Sequence, residues 1–301
     1  MWVTSLSVGT SCGSTPRDMP RATTILFATL AMIAFAGNSL LCRAALEHAD
    51  IDAATFTLVR MVSGAGVLWL LVRGRRSHSG KGVGWLPALA LFGYAATFSY
   101  AYLGMSAATG ALILFGAVQA TMIGHAIRTG ERMRFWQFAG FALAFSGFVA
   151  LLLPGATTPH WLPALSMTVA GVFWGAYSLA GRAAVDPLAA TASNFARAIV
   201  PAVVLSLLTV GSMRADATGL AYAVASGALA SGIGYAVWYV VVRRLRASSA
   251  AIIQLSVPFI AMLGGAALLD EPLTLQLVIA SATLIGGVTI ALVSGQRRAP
   301  A

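Results

Sequence analysis

The chain carries ten apolar segments, at about 24–44, 53–72, 85–103, 107–127, 135–153, 161–181, 189–210, 218–241, 249–269 and 274–294. Each matches the length that a helix needs to cross a bilayer core, roughly 20 residues. The period-two alternation of barrel strands is absent. Unpaired backbone cannot face lipid, so the segments must be helices. Composition agrees: 58% of residues are hydrophobic and only 9% charged, where a soluble domain has about 25% charged residues. The expected fold class is an all-α polytopic membrane protein with ten transmembrane helices.

The basic residues set the orientation. With the N-terminus inside, fifteen of the 19 Lys and Arg residues fall in cytoplasmic segments, against Arg43 and Arg214 outside and Arg60 and Arg197 within spans. This asymmetry is the positive-inside pattern and puts both termini in the cytoplasm, as in a bacterial-type inner membrane. It also accounts for the net charge of +10. The basic residues form small clusters between apolar segments rather than one stripe, which excludes nucleic acid as a partner and leaves the lipid bilayer. Residues 1–22 read as a disordered tail in which Met19 is a candidate start, and residues 295–301 as a second tail. Cys12 and Cys42 have no motif spacing, and Cys42 reads as a buried thiol.

The chain repeats itself. "FAGNSLLCRAAL" (35–46) recurs as "FWGAYSLAGRAAV" (173–185), and "AATFTLVRMVSGAGVLWLLVRG" (53–74) lies over "ATASNFARAIVPAVVLSLLTVG" (190–211), setting Arg60 on Arg197. "TGERMRFWQFAGFALAFSGFVALLL" (129–153) lies over "LDEPLTLQLVIASATLIGGVTIALV" (269–293), with Glu131 on Glu271 and Gly147 on Gly287. The offsets are 138–139, 137 and 140. Each half, 23–154 and 160–294, holds five helices, an odd number, so the second half enters the membrane from the opposite face. Two inverted five-helix repeats are the architecture of transporters that work by alternating access.

These residues resemble the ten-helix drug/metabolite transporter superfamily, in its EamA branch, across 23–294. The resemblance is carried by Arg60 with the following "LWLLV", and by "SAAIIQLSVPFIAMLGGAALLDEPLTLQLVIASATLIGGVTIAL", where Pro258, Glu271 and Gly287 stand where the family has Pro, Glu and Gly. Val118 departs from it, occupying the place of the first-half proline. The resemblance implies a secondary transporter, an exporter or exchanger of small metabolites, without fixing the solute.

Arg60 lies about 12 Å into its span by the helix rise, too deep to snorkel to the outer headgroups, and Arg197 lies as deep from the other face. An arginine at such depth costs at least ~2.5 kcal/mol and should face protein or water. Two readings stand: a gate or helix-packing residue, or a ligand for an anionic group. Glu131 and Glu271 each open a helix, and "DEP" has the form of a capped N-terminus, so both read as helix-capping rather than proton sites.

Substrate-cavity candidates are the polar and aromatic residues near mid-span: Asn38, Tyr94, Phe98, Gln119, Trp174, Tyr177, Ser231, Tyr235, Trp238 and Gln254. Tyr94, Phe98 and Tyr102 follow one helix face at i, i+4, i+8. Aromatic stripes also serve packing and interfacial belts, but here they lie on the third and eighth helices, which the repeat relates. That placement suits a small amphipathic solute such as an amino acid or related compound. Small residues on the fifth, eighth, ninth and tenth helices read as close-packing surfaces.

No HExxH, GxSxG or paired acids lie within the spans. The sequence therefore calls for no metal, cofactor or catalytic residue, and the chain is read as not an enzyme. A homodimer is compatible with this reading, and the alternatives are a membrane scaffold or an intramembrane enzyme.

Overall fold

The computed structural model describes residues 21–74, 83–129, 135–152, 159–182, 184–242, 253–254 and 256–296. Of the two expected tails, residues 1–20 and 297–301 lie outside the described residues, as does Glu131, whereas residues 21–22 and 295–296 belong to the first and last helices. The first half consists of α1 (Arg21–His48), α2 (Ala53–Val72), α3 (Trp85–Ala101), α4 (Ala107–Arg128) and α5 (Phe135–Leu152). The second half holds α6 (Trp161–Arg182) and α7 (Pro187–Leu208), then an eighth span made of three parts. These parts are α8 (Ala217–Ala225), a π-helical stretch (Ser226–Ile233) and α9 (Gly234–Val242). The half ends with α10 (Ser256–Leu268) and α11 (Leu275–Gln296).

Local chemistry explains where the helices start. The Asp52 side chain accepts from the amides of Ala54 and Thr55 at the head of α2, and Ser106 accepts from Thr109 N at the head of α4. Asp186 caps α7 just before Pro187, a residue whose missing N–H costs nothing in a first turn. Asp216 caps α8 through Gly219 N. Inside the spans, hydroxyls turn back to carbonyls four residues earlier. Thr57 donates to Ala53 O at 2.7 Å, Thr121 to Ala117 O at 2.8 Å and Ser281 to Leu277 O at 2.7 Å, so that these hydroxyls are not left bare to hydrocarbon.

Six of the described spans are both long enough and apolar enough to cross a membrane on their own. Large apolar side chains such as Leu86, Phe135 and Leu208 point outward, and Trp69, Trp85, Trp136 and Trp161 are exposed near helix ends, as in an interfacial aromatic belt.

The packing follows a two-fold relation between the halves. α5 packs on α11, α2 on α7 and α4 on α10, each against its own repeat counterpart. The larger of the remaining contacts come in matched pairs. α3 on α6 is answered by the eighth span on α1, α4 on α6 by α10 on α1, and α3 on α7 by the eighth span on α2. The eighth span departs from the single regular helix expected there. Its π-helical stretch has no counterpart in α3, and it is the part that packs on α2 beside Arg60.

Candidate functional site

Arg60, in the second turn of α2, is fully buried at 0% exposure. Its Nε donates to Ser231 Oγ at 3.3 Å and its Nη2 to the Tyr94 hydroxyl at 3.1 Å. The Tyr94 and Phe98 rings cover the guanidinium, each with its centroid 5.1 Å from the central carbon. Nη1 is buried with no hydrogen-bond partner. Cation–π contact and two neutral acceptors thus hold the charge without cancelling it.

The same network continues to α1. Asn38 Nδ2 also donates to the Tyr94 hydroxyl, at 3.1 Å, and Asn38 Oδ1 accepts from Ser226 Oγ at 2.6 Å. Tyr94 is thereby the shared acceptor of Arg60 and Asn38. The ring of contacts joins α1, α2 and α3 of the first half to Ser226 and Ser231 of the second.

The winding of the eighth span makes this possible. In an α-helix, residues five apart point about 140° away from each other. The wider π turn brings Ser226 and Ser231 round toward one side, where one meets Asn38 and the other Arg60. Gly227 completes the fit: a Cβ there would collide with the Arg60 carbonyl and Ser63 Oγ.

An aromatic shell lies against this polar hub. Trp174 of α6 stands 4.9 Å from Tyr94, 5.1 Å from Tyr235 and 5.7 Å from Tyr177, ring centroid to centroid. Phe35 of α1 packs edge-on to Trp174, Tyr235 and Trp238. Phe195 of α7 meets Tyr235. The Tyr177 hydroxyl donates to Thr191 Oγ1 at 3.3 Å.

Nine of the residues singled out in the sequence therefore share one cluster: Arg60, Asn38, Tyr94, Phe98, Trp174, Tyr177, Ser231, Tyr235 and Trp238. Gln119 is buried on α4 and Gln254 is half-buried in the ninth span, both outside these contacts. Arg197 differs from its repeat partner. It is half-buried and turns to Ser193 of its own helix, bonding the Ser193 carbonyl and hydroxyl. Phe35, Phe195 and Ser226 belong to the cluster without having been singled out. Phe35, one helical turn before Asn38, could have been found from spacing alone, whereas Ser226 depends on the π turn.

Glu271 does cap a helix, but not the one it was expected to serve. α11 begins only at Leu275, and the Glu271 carboxylate instead accepts from Ala107 N, at the head of α4, at 2.7 and 3.0 Å. The chain reaches this position by leaving α10 through Asp270 at φ 52°, with Glu271 N returning to Gly265 O. Arg43 Nε stands 3.6 Å from the same carboxylate, and Arg43 Nη1 donates to Tyr102 O. Burial raises the Glu271 carboxyl above its ordinary range, against the lowering effects of the Ala107 N–H and the Arg43 charge.

Beside it, the loops α1–α2 and α7–α8 pair across the halves. Ile51 and Ala215 form an antiparallel bridge, Asp52 N donates to Arg214 O, and Arg214 N donates to Asp52 Oδ2 at 3.0 Å. Two clasps between the halves thus close the same end of the bundle. Toward the other end, α1 and the ninth span part around an apolar pocket of about 430 Å³ lined by Ala28, Met32, Ile253 and Ile260.

The sequence model of the EamA-like transporter family matches residues 22–153 and again 161–293. An uncharacterized protein of Pseudomonas aeruginosa is 51% identical over 276 residues, covering 91% of this chain and 96% of its own. A protein of Archaeoglobus fulgidus described as an uncharacterized transporter is 26% identical over 220 residues, covering 70% of this chain and 80% of its own. A crystal structure of a protein 20% identical superposes with a TM-score of 0.65, covering 93% of this chain and all of that one, a likeness of fold.

Proposed function

The chain belongs to the EamA-like transporter family, and from that premise we propose that it is a secondary transporter for a small amphipathic metabolite such as an amino acid or related compound. It works as an exporter or exchanger, by rocking one inverted repeat against the other. The observation that carries this reading is the buried hub. Polar side chains of both halves, Arg60, Asn38 and Tyr94 with Ser226 and Ser231, bond one another inside an aromatic shell. Opening either end moves the halves apart and breaks bonds of this hub. A solute that replaces them ties its own binding to the motion.

On the positive-inside reading of the basic residues, the clasped end faces outward and both termini lie in the cytoplasm of a bacterial-type inner membrane. On that orientation the described conformation is closed outward, and Glu271, Arg43, Asp52 and Arg214 form the outer gate. No carboxylate lies within a span, so the gradient of an exchanged solute is the driving force favoured here over a proton.

The test is counterflow. Purified full-length protein in liposomes, loaded in turn with unlabelled amino acids and related metabolites, should accumulate at least one labelled member against empty controls. Absence of flux for the whole panel points to a scaffold. Turnover of an added peptide or lipid points to an enzyme.

A further inference from the structure

We propose that Arg60 anchors the carboxylate of the solute, so that the site takes an anion or zwitterion and discriminates against the matching amine or ester; this deepens the transporter reading and rests on it. The guanidinium is fully buried, its acceptors are the neutral hydroxyls of Ser231 and Tyr94, and none of the nine Asp and Glu residues in the sequence lies within a span. Among the described residues no carboxylate pairs with it. The hub therefore carries one uncompensated positive charge.

The acceptors fix where that charge is available. Ser231 holds Nε and Tyr94 holds Nη2, leaving Nη1, which is buried and without a hydrogen-bond partner, as the free corner of the fork. A carboxylate oxygen at Nη1 makes a charge-assisted hydrogen bond and neutralises the site at once. The Tyr94 and Phe98 rings cover the guanidinium in this closed conformation, so a ring must swing aside to admit it. The shell of Trp174, Tyr235 and Phe35 then meets the apolar body of the solute. An aromatic cage by itself suits an organic cation. Arg60 beside it reverses that preference, because an amine without a carboxylate meets only like charge.

Two matched series in detergent provide the test: leucine, isocaproate and isoamylamine, and phenylalanine, hydrocinnamate and phenethylamine. Binding is followed by calorimetry and by the fluorescence of Trp174 and Trp238. In at least one series both carboxylate members should bind at least about tenfold tighter than the amine. Methyl esters of the two simple acids should lose the same factor, an arm that needs no variant. Arg60→Gln should abolish the ranking, while Ser231→Ala, which leaves the charge in place, should keep it. Amines or esters binding as tightly as the acids would overturn the anchor and leave the transporter reading standing. Binding of no member overturns the solute-binding hub, and the anchor with it.

Discussion

Gly140 and Gly287 meet backbone to backbone where α5 crosses α11: a Cβ on either would stand 2.5 Å from the carbonyl oxygen of the other. The repeat offset of 140 carries Gly140 to Ala280 and Gly147 to Gly287. The mirrored pair is present, since a Cβ on Gly147 would lie 3.0 Å from Ala280 O. The two contacts exchange under the two-fold relation of the halves. The inverted repeat is therefore visible in individual backbone atoms.

That contact leaves no room for a methyl group. Gly140→Ala or Gly287→Ala should cost about 1–3 kcal/mol, the usual range for overpacking, and lower both yield and melting temperature in detergent. Gly66→Ala is the control, because nothing stands within 4 Å of a Cβ there. Equal melting of all three would mean that α5 and α11 do not cross this closely.

The spans and the repeat were legible in the sequence because hydropathy and helix length are local quantities, and charged residues are scarce enough to align. The site was legible in part. Asn38, Tyr94, Trp174 and Tyr235 stand out as polar or aromatic residues at mid-span, and they lie together in the fold. The π-helical stretch was not legible. "SGALASGI" has the composition of any small-residue helix, and its winding follows from how closely Gly227 approaches α2. Nor could sequence show that Arg60 and Arg197 differ. Their alignment is clean, but Ser193 lies one turn before Arg197 and takes its guanidinium, whereas Phe56, in the equivalent place before Arg60, offers it nothing polar. Glu271 was misassigned because a capping sequence does not say whose N-terminus it caps.

Gly227 makes a sharper test of the π-helical stretch. Gly227→Ala forces the eighth span away from Arg60 and Ser63. Flux should fall by more than about tenfold, while Gly37→Ala, with nothing within 4 Å, should leave it unchanged. Normal flux in Gly227→Ala would show that the close approach is not needed for transport.

The clasp at Asp52 separates capping from contact between the halves. Its Oδ1 caps α2, while its Oδ2 accepts Arg214 N from the other half. Asp52→Asn keeps the capping oxygen but sets an NH₂ against the Arg214 amide. The clasp should loosen with little loss of helix, whereas Asp52→Ala adds a capping loss of about 0.5–2 kcal/mol. Cys42, buried on α1, is the native reporter. In a Cys12→Ser background its labelling by a maleimide should be faster in Asp52→Asn than in the parent. An unchanged rate would mean that the loops do not close this end.

Glu271 predicts a pH dependence of definite sign. Burial holds its carboxyl above the ordinary 4.5, so the folded protein takes up this proton more readily than the unfolded chain. Its stabilising effect is complete below 4.5 and is lost as the pH rises through the folded value. The melting temperature of the parent, measured relative to Glu271→Gln, should therefore fall across that interval and stay level above it. A difference that grows with pH would mean that the bonds to Ala107 and Arg43 outweigh burial.

Tyr94→Phe tests the hub with the smallest change available. It removes one oxygen and leaves two buried donors, Arg60 Nη2 and Asn38 Nδ2, without their shared acceptor. Two such losses at about 1–3 kcal/mol each would destabilise the closed form if nothing replaced the oxygen. A solute carboxylate can replace it, because with one oxygen on Nη1 its second oxygen can accept from the Nη2 that the hydroxyl has left. Tyr94→Phe should thus melt earlier than the parent when empty and recover most of the difference with saturating solute. The distinguishing measurement is the ligand-induced rise in melting temperature, which should be larger in the variant than in the parent. A smaller rise would show that the Tyr94 hydroxyl binds the solute itself rather than only occupying Nη2 beside the Nη1 corner that the solute takes.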